Sequence, residues 1–202
     1  MSTKSCFSCI THILVCSIFS VNSFASAAAG EEEAQAITPV NVGIVILGNG
    51  TYLTGDYQDI VQRYFVKCYS KYRYPMEYGP AMQEKFFNAC QAANYKKTKY
   101  LTDEQLTAMV QAAGKDQLLV LRINEALILH SDGTGRDMPA MREWLADMDM
   151  EAILLDKNGV IKRTKMSRSE DNMPTAEAAL YDVFATCIHD LQKKDFFQRV
   201  DN

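Results

Sequence analysis

Between residues 117 and 130 the chain reads QLLVLRINEALILH, and this alternation constrains the fold more than any other stretch of the 202 residues. Leu119, Leu121, Ile123, Leu127 and Leu129 fall on one face; Leu118, Val120, Ala126 and Ile128 fall on the other, with Arg122 and Asn124 among them. A period of two held this long is a strand. Apolar residues on both faces require cover on both sides, so the strand is expected to run inside a layered sheet. Residues 145–156 and 160–168 continue the pattern around Asp156-Lys157-Asn158-Gly159, the chemistry of a hairpin turn. Two registers are open. A two-residue turn faces Leu155 with Lys162 and Glu151 with Met166. A three-residue loop with Gly159 left-handed faces Leu155 with Ile161, Met150 with Met166 and Glu151 with Lys165. The second pairs like with like and opposite charges, and is preferred. Short connections, including a loop with Gly133, Gly135 and Pro139, make these three strands an antiparallel meander.

Upstream the period is helical. Residues 56–69 place Ile60, Tyr64 and Cys68 on one side, with Val61 and Phe65 beside them. Gly79-Pro80 opens a second helix to Ala93, with Met82, Phe86, Phe87 and Cys90 facing inward. Thr102 and Gln105 form a capping-box pattern for a third helix ending at Gly114. After Pro174-Thr175, Leu180, Val183, Phe184, Cys187, Ile188 and Leu191 make the stripe of a last helix. Residues 41–47 read as a buried first strand joining the same sheet. The expected fold is a single-domain α/β sandwich over residues 40–197. Its mixed sheet has about four strands, the first strand plus the meander, packed by about four helices.

The start of the chain points to export. Residues 1–29 carry one charged side chain, Lys4, an apolar run from Ile10 to Phe24, and small residues at Ala25, Ala27 and Ala29. A charged start, a short apolar core and a small-residue cleavage site describe a secretory signal. The run is too short for a comfortable membrane span, and Val15 is too large to precede a lipid-bearing Cys16. Residues 30–39 form a flexible acidic leader. Without Lys4 the remainder holds 20 basic and 25 acidic side chains. That balance favours neither nucleic acid nor an anionic surface, and no second apolar run approaches membrane length.

Three cysteines remain after the signal: Cys68, Cys90 and Cys187. In an oxidising compartment Cys68 and Cys90, on neighbouring helices, are the candidate disulfide; three buried free thiols are the alternative. The two histidines beyond the signal, His130 and His189, belong to no metal-ligand spacing, so no metal is expected. Cys68 with His130 is a candidate nucleophile–base pair, should the fold bring them together.

Val42 to Leu47 runs into Gly48-Asn49-Gly50, with Gly55 beyond, which looks like a dinucleotide loop. The third glycine of that motif is replaced by Leu53, no Lys-Ser/Thr pair follows, and three helices intervene before the next strand. The stretch is therefore read as a buried strand leaving the sheet through a turn, with no cofactor. Residues 69–78, YSKYRYPMEY, hold four tyrosines. Tyr72, Arg73, Tyr74 and Tyr78 are the candidate partner-binding residues, since tyrosine and arginine are common interface anchors; a crossover packed over the helices is the structural alternative. Lys157, Lys162, Arg163, Lys165 and Arg168 face Asp147, Asp149, Glu151 and Asp156 across the hairpin, a pattern of cross-strand pairing and edge protection, with a surface for an anionic partner as the alternative.

In this order of elements the chain resembles the amino-terminal domain of the periplasmic protein TolB and the small envelope domains of CsgG and LpoB type. The stretches that carry the resemblance are Val42-Gly43-Ile44-Val45-Ile46-Leu47, Gly114 to Leu121, and Ile153-Leu154-Leu155-Asp156-Lys157-Asn158-Gly159-Val160-Ile161, followed by the final helix. The pattern differs between residues 49 and 100, where this chain has an extra helix and the tyrosine crossover. The resemblance implies a non-enzymatic, periplasmic or extracellular module that binds an envelope protein or polymer. Such a module is expected to expose an apolar or aromatic patch near residues 72–78 or along a sheet edge. The alternative is an exported hydrolase using Cys68 and His130.

Overall fold

The computed structural model describes residues 38–48, 50–131 and 143–197. The signal segment, all but the end of the acidic leader, and the loop with Gly133, Gly135 and Pro139 lie outside the described residues. The elements are β1 (Val42–Leu47), α1 (Gly55–Tyr64), β2 (Met76–Glu77), α2 (Pro80–Ala92), α3 (Asp103–Ala112), β3 (Gln117–Ser131), β4 (Glu143–Asp156), β5 (Gly159–Met173) and α4 (Ala176–Gln192). They form an α/β sandwich around one mixed sheet of order β2-β1-β3-β4-β5. β1 runs parallel to β2 and β3, and β3, β4 and β5 form the antiparallel meander.

The sheet has five strands where four were expected. The additional one, β2, lies in the tyrosine crossover, which is tied to the start of the sheet by Val40 N–H to the Arg73 carbonyl (2.9 Å) and Val42 N–H to the Pro75 carbonyl (3.0 Å). Two apolar layers follow from the pleat. Val42, Ile44 and Ile46 of β1, with Leu119, Leu121 and Ile123 of β3, pack under α1 and α4. Val45, Leu47, Leu118 and Val120 pack under α2 and α3. The stripe of α4 is buried as read, through Val183, Phe184, Cys187, Ile188 and Leu191. Each of its larger aliphatic or aromatic members contributes about 1.5–3 kcal/mol by burial. Thr102 and Gln105 close both bonds of the capping box that starts α3. Gly43 lets α2 approach β1: a Cβ there would stand 2.7 Å from the Met82 methyl carbon.

In the body of the β4–β5 hairpin the preferred register is the one formed, with Met150 opposite Met166 and Glu151 opposite Lys165. Its tip differs from expectation. The turn has two residues, Lys157 and Asn158, and Leu155 faces Val160 rather than Ile161. A bulge next to Leu155 then restores the alignment from Leu154–Lys162 onward. The Asp156 carboxylate organises the turn, accepting from the backbone N–H of Asn158 (2.7 Å) and Gly159 (3.2 Å).

The face assignment of β3 also needs correction. A bulge lies between Ile123 and Glu125, so Ile123 pairs with Met150 but Glu125 with Asp149 and Leu127 with Asp147. One extra residue in a strand turns all later side chains over. Leu127 and Leu129 therefore lie on the opposite face from Leu119, Leu121 and Ile123. Nor is β3 covered to its end: Leu127, Ile128 and Leu129 are 43%, 37% and 49% exposed.

Candidate functional site

The tyrosine crossover is divided by burial. Tyr69 is buried between Phe65 and Phe197, with ring centroids 5.0 and 5.4 Å away. Tyr74 is half-buried, 5.0 Å from the Phe197 ring, with the Arg73 guanidinium over its own ring. Tyr78 packs against the same apolar layer. Only Tyr72, 78% exposed with the Lys71 ammonium over its ring, offers its face outward. Tyr72, Arg73, Tyr74 and Tyr78 thus do not make one surface. The short β2 anchors this segment beside β1, and its rings fill the end of the core.

The cysteine assignments are corrected by the layers. Cys68 packs on the α1/α4 side and Cys90 on the α2/α3 side, with the sheet between them, and all three cysteines are free. Burial pushes the Cys90 thiol up to about 11 and the Cys187 thiol up to about 12. The Cys68 thiol donates to the Tyr64 carbonyl (3.6 Å) and accepts from the Gln192 amide (2.8 Å) at the end of α4. His130 stands at the other end of that helix. Its strand position faces Trp144, whose partner on β5 is Met173, just before α4 begins. α4 has 17 residues, about 25 Å at 1.5 Å per residue. Cys68 and His130 are not brought together. The His130 ring lies 4.6 Å from that of Trp144, and His189 is an exposed helix residue edge-on to Tyr64.

The glycine turn after β1 closes on Tyr52. A Cβ at Gly48 would meet the Tyr52 ring at 3.1 Å. That ring is buried against Tyr57 and Phe184. Burial, then Tyr57, pushes the Tyr52 hydroxyl up to about 12.

The hairpin charges pair more with the helices than across the strands. Arg163 meets Asp103 of α3 and stands 3.6 Å from Glu151. Arg168 meets Asp190 of α4. The Lys162 ammonium donates to the Asp195 carbonyl at 3.0 Å. Glu151, nearly buried, also holds the Arg122 guanidinium at 3.3 Å, and Arg122 donates to the Leu101 carbonyl at 2.8 Å. This cluster marks the limit of the cover that α3 gives the sheet.

Beyond that limit lies the feature that composition did not disclose. The β1 ladder ends at Leu47–Arg122, but β3 continues to Ser131 with β4 alone beside it. Among the described residues no strand pairs the other edge of β3 past Arg122. On the face turned away from α4, Glu125, Leu127 and Leu129 of β3 stand next to Asp149, Asp147 and Leu145 of β4, and Ser167 and Ser169 of β5 follow. An open depression of about 400 Å³ lies over this face, between Glu125, Asp147, Asp149 and Ser169. Asp147 accepts from the Ser169 hydroxyl. Among the described residues no hydrogen bond or ion pair reaches the Glu125 or Asp149 carboxylate. The Lys99 ammonium donates to the Asn124 carbonyl at the bulge (2.8 Å), where the open edge begins. The sequence signal for this site was the polar pair Arg122 and Asn124 inside an apolar strand, together with a β1 far shorter than β3.

The edges of β1 and β5 differ. At Ile46 of β1, past the end of β2, the buried Gln83 side chain stands in for a strand, accepting from the backbone N–H at 3.0 Å and donating to the carbonyl at 2.8 Å. β5 carries Lys162, Arg163, Lys165 and Arg168 along its length, side chains that keep foreign strands away.

No protein-family model matches the chain, and no curated protein matches it. Among solved structures it is similar to lipoprotein GNA1162 from Neisseria meningitidis, at 14% identity and a TM-score of 0.47, over 77% of this chain and 99% of that one. It is also similar to a minor lipoprotein from Acinetobacter baumannii, at 10% identity and a TM-score of 0.34, over 78% and 88%. At these levels neither likeness bears on what this chain does.

Proposed function

We propose that this chain is an exported, non-enzymatic envelope module that binds another protein by accepting one of its segments as a new strand on the open edge of β3. The observation that carries the reading is the contrast between edges. β1 is closed by Gln83 and β5 is lined with cations, whereas β3 past the Lys99–Asn124 contact has no strand beside this edge among the described residues, and Leu127, Ile128 and Leu129 are exposed along it. A long, apolar, unguarded edge is a template for a further strand. Export is supported by the leader residues, from Lys4 through the apolar run to Ala25-x-Ala27. The resemblance to TolB-type envelope domains agrees with a binding role and does not name the partner.

The test is site-specific photocrosslinking in the producing cells. A photoreactive side chain at Leu127 or Leu129 is expected to yield one discrete adduct. The same group at the exposed Ile161 should yield none, and Ile128→Pro, which removes an amide facing the open edge, should remove the adduct formed from position 129. Equal labelling from Ile161, or adducts indifferent to the proline, would sink the reading. Intact mass of the envelope-fraction protein checks export: the signal reading requires a start near Ala28 or Gly30, and a retained Met1 contradicts it.

A further inference from the structure

The strand that the β3 edge accepts is, we propose, a basic one: an extended segment with a lysine or arginine opposite Glu125 and aliphatic side chains opposite Leu127 and Leu129. This rests on the strand-addition reading and names the chemistry of its partner.

An added strand would lie in line with β1, where the β1–β3 ladder stops at Leu47–Arg122. Its side chains alternate, so those opposite Glu125, Leu127 and Leu129 fall on the bare face. That face holds Glu125, Asp147 and Asp149. Its nearby cations are engaged elsewhere: Arg163 with Asp103 and Glu151, Arg168 with Asp190, Lys99 with the Asn124 carbonyl. Among the described residues the one exception is Lys165, exposed on the same face opposite Glu151 and near Asp149, one strand away from β3 and out of line with Glu125. Glu125 and Asp149 are exposed and, among the described residues, without an ion pair. A basic side chain entering opposite Glu125 supplies the missing charge, and its length carries it toward Asp149 on the next strand. Leu127 and Leu129 give the following positions an apolar surface to cover.

The same charges argue against a second copy as the occupant. A symmetric antiparallel pair formed by two β3 edges has its two-fold axis normal to the sheet, so both bare faces point the same way. Glu125, Asp147 and Asp149 of both copies would then share one surface, six carboxylates against the two Lys165 ammoniums on the far strands.

The probes are two fluorescein-labelled peptides of about eight residues, one alternating lysine and valine, the other glutamate and valine. Each is titrated against the purified full chain by fluorescence anisotropy. The lysine peptide is expected to bind on the order of tenfold more tightly than the glutamate peptide, and to lose that lead at about 0.5 M salt. The double variant Glu125→Lys/Asp149→Lys should reverse the order; both positions are exposed, and circular dichroism checks that it folds. A glutamate peptide that binds wild type as well as the lysine peptide overturns the charge assignment, and if both are lost in Ile128→Pro the strand-addition reading survives it. Binding of neither peptide, or binding indifferent to Ile128→Pro, overturns the inference. So does a wild-type dimer in sedimentation that Leu127→Lys dissolves, which would seat a second copy on the edge.

Discussion

Glu151 holds two guanidiniums at the point where α3 stops covering the sheet, and its own side chain is only 7% exposed. Removing a buried partner strands the charges it held, so Glu151→Ala is expected to cost about 3–5 kcal/mol in denaturant unfolding. Chemistry at the cysteines is set by which layer each occupies. In protein lacking residues 1–29, iodoacetamide should add one label to the native chain, at half-buried Cys68, and three after unfolding, with no reductant needed. Fewer than three labels without reductant would restore the disulfide. The sequence could place Cys68 and Cys90 on adjacent helices but not on opposite sides of a sheet, because chain order says nothing about which face a helix covers. The tyrosines were left open between two readings for a related reason: composition shows an aromatic cluster, and only the fold shows that Tyr69, Tyr74 and Tyr78 point into it.

Among the elements, α2 does the least obvious work. Gln83→Leu keeps its bulk but leaves the N–H and carbonyl of Ile46 buried and unpaired. About 2–4 kcal/mol of stability should go with it, read as a shift of the denaturant midpoint. Nothing local marks Gln83 for this role; a glutamine among apolar residues of an amphipathic helix reads as a position near the solvent boundary. The β3 bulge was equally hidden. Arg122 and Asn124 both interrupt the apolar pattern, and alternation cannot say which of them is the extra residue. By contrast the capping box at Thr102 and the body of the hairpin register were legible, because each depends on residues close in sequence.

At the scale of the molecule, the order of elements and the layered α/β class were legible, since long apolar strands demand cover on both faces. The extent of that cover was not. β3 lies between two helical layers only as far as Arg122. Hydrogen exchange should therefore be slowest at Leu118 to Leu121 and fastest at the outward-facing amides beyond Asn124; uniform protection along β3 would contradict this edge. Charge adds a pH dependence. Lys193 and then Arg168 hold the Asp190 carboxyl below its ordinary range, and Lys115 and then Lys85 do so for Glu77. Both acids are depressed in the folded state, so their stabilisation is present above the unfolded values near about pH 4 and is lost as pH falls through the folded ones. Asp190→Asn with Glu77→Gln should lower stability at neutral pH and flatten the acid limb of a Tm–pH curve.

The alignment of the open edge with β1 has a mechanical meaning. A strand seated beside β3 would be bonded by backbone groups that run across its axis. Tension along that axis would load all those bonds at once, in shear, and pass into the part of β3 clamped between helices. Tension across it would peel them one after another. A joint of this kind resists load along the strand and yields to load from the side, so the direction of pull would decide how long a partner stays attached.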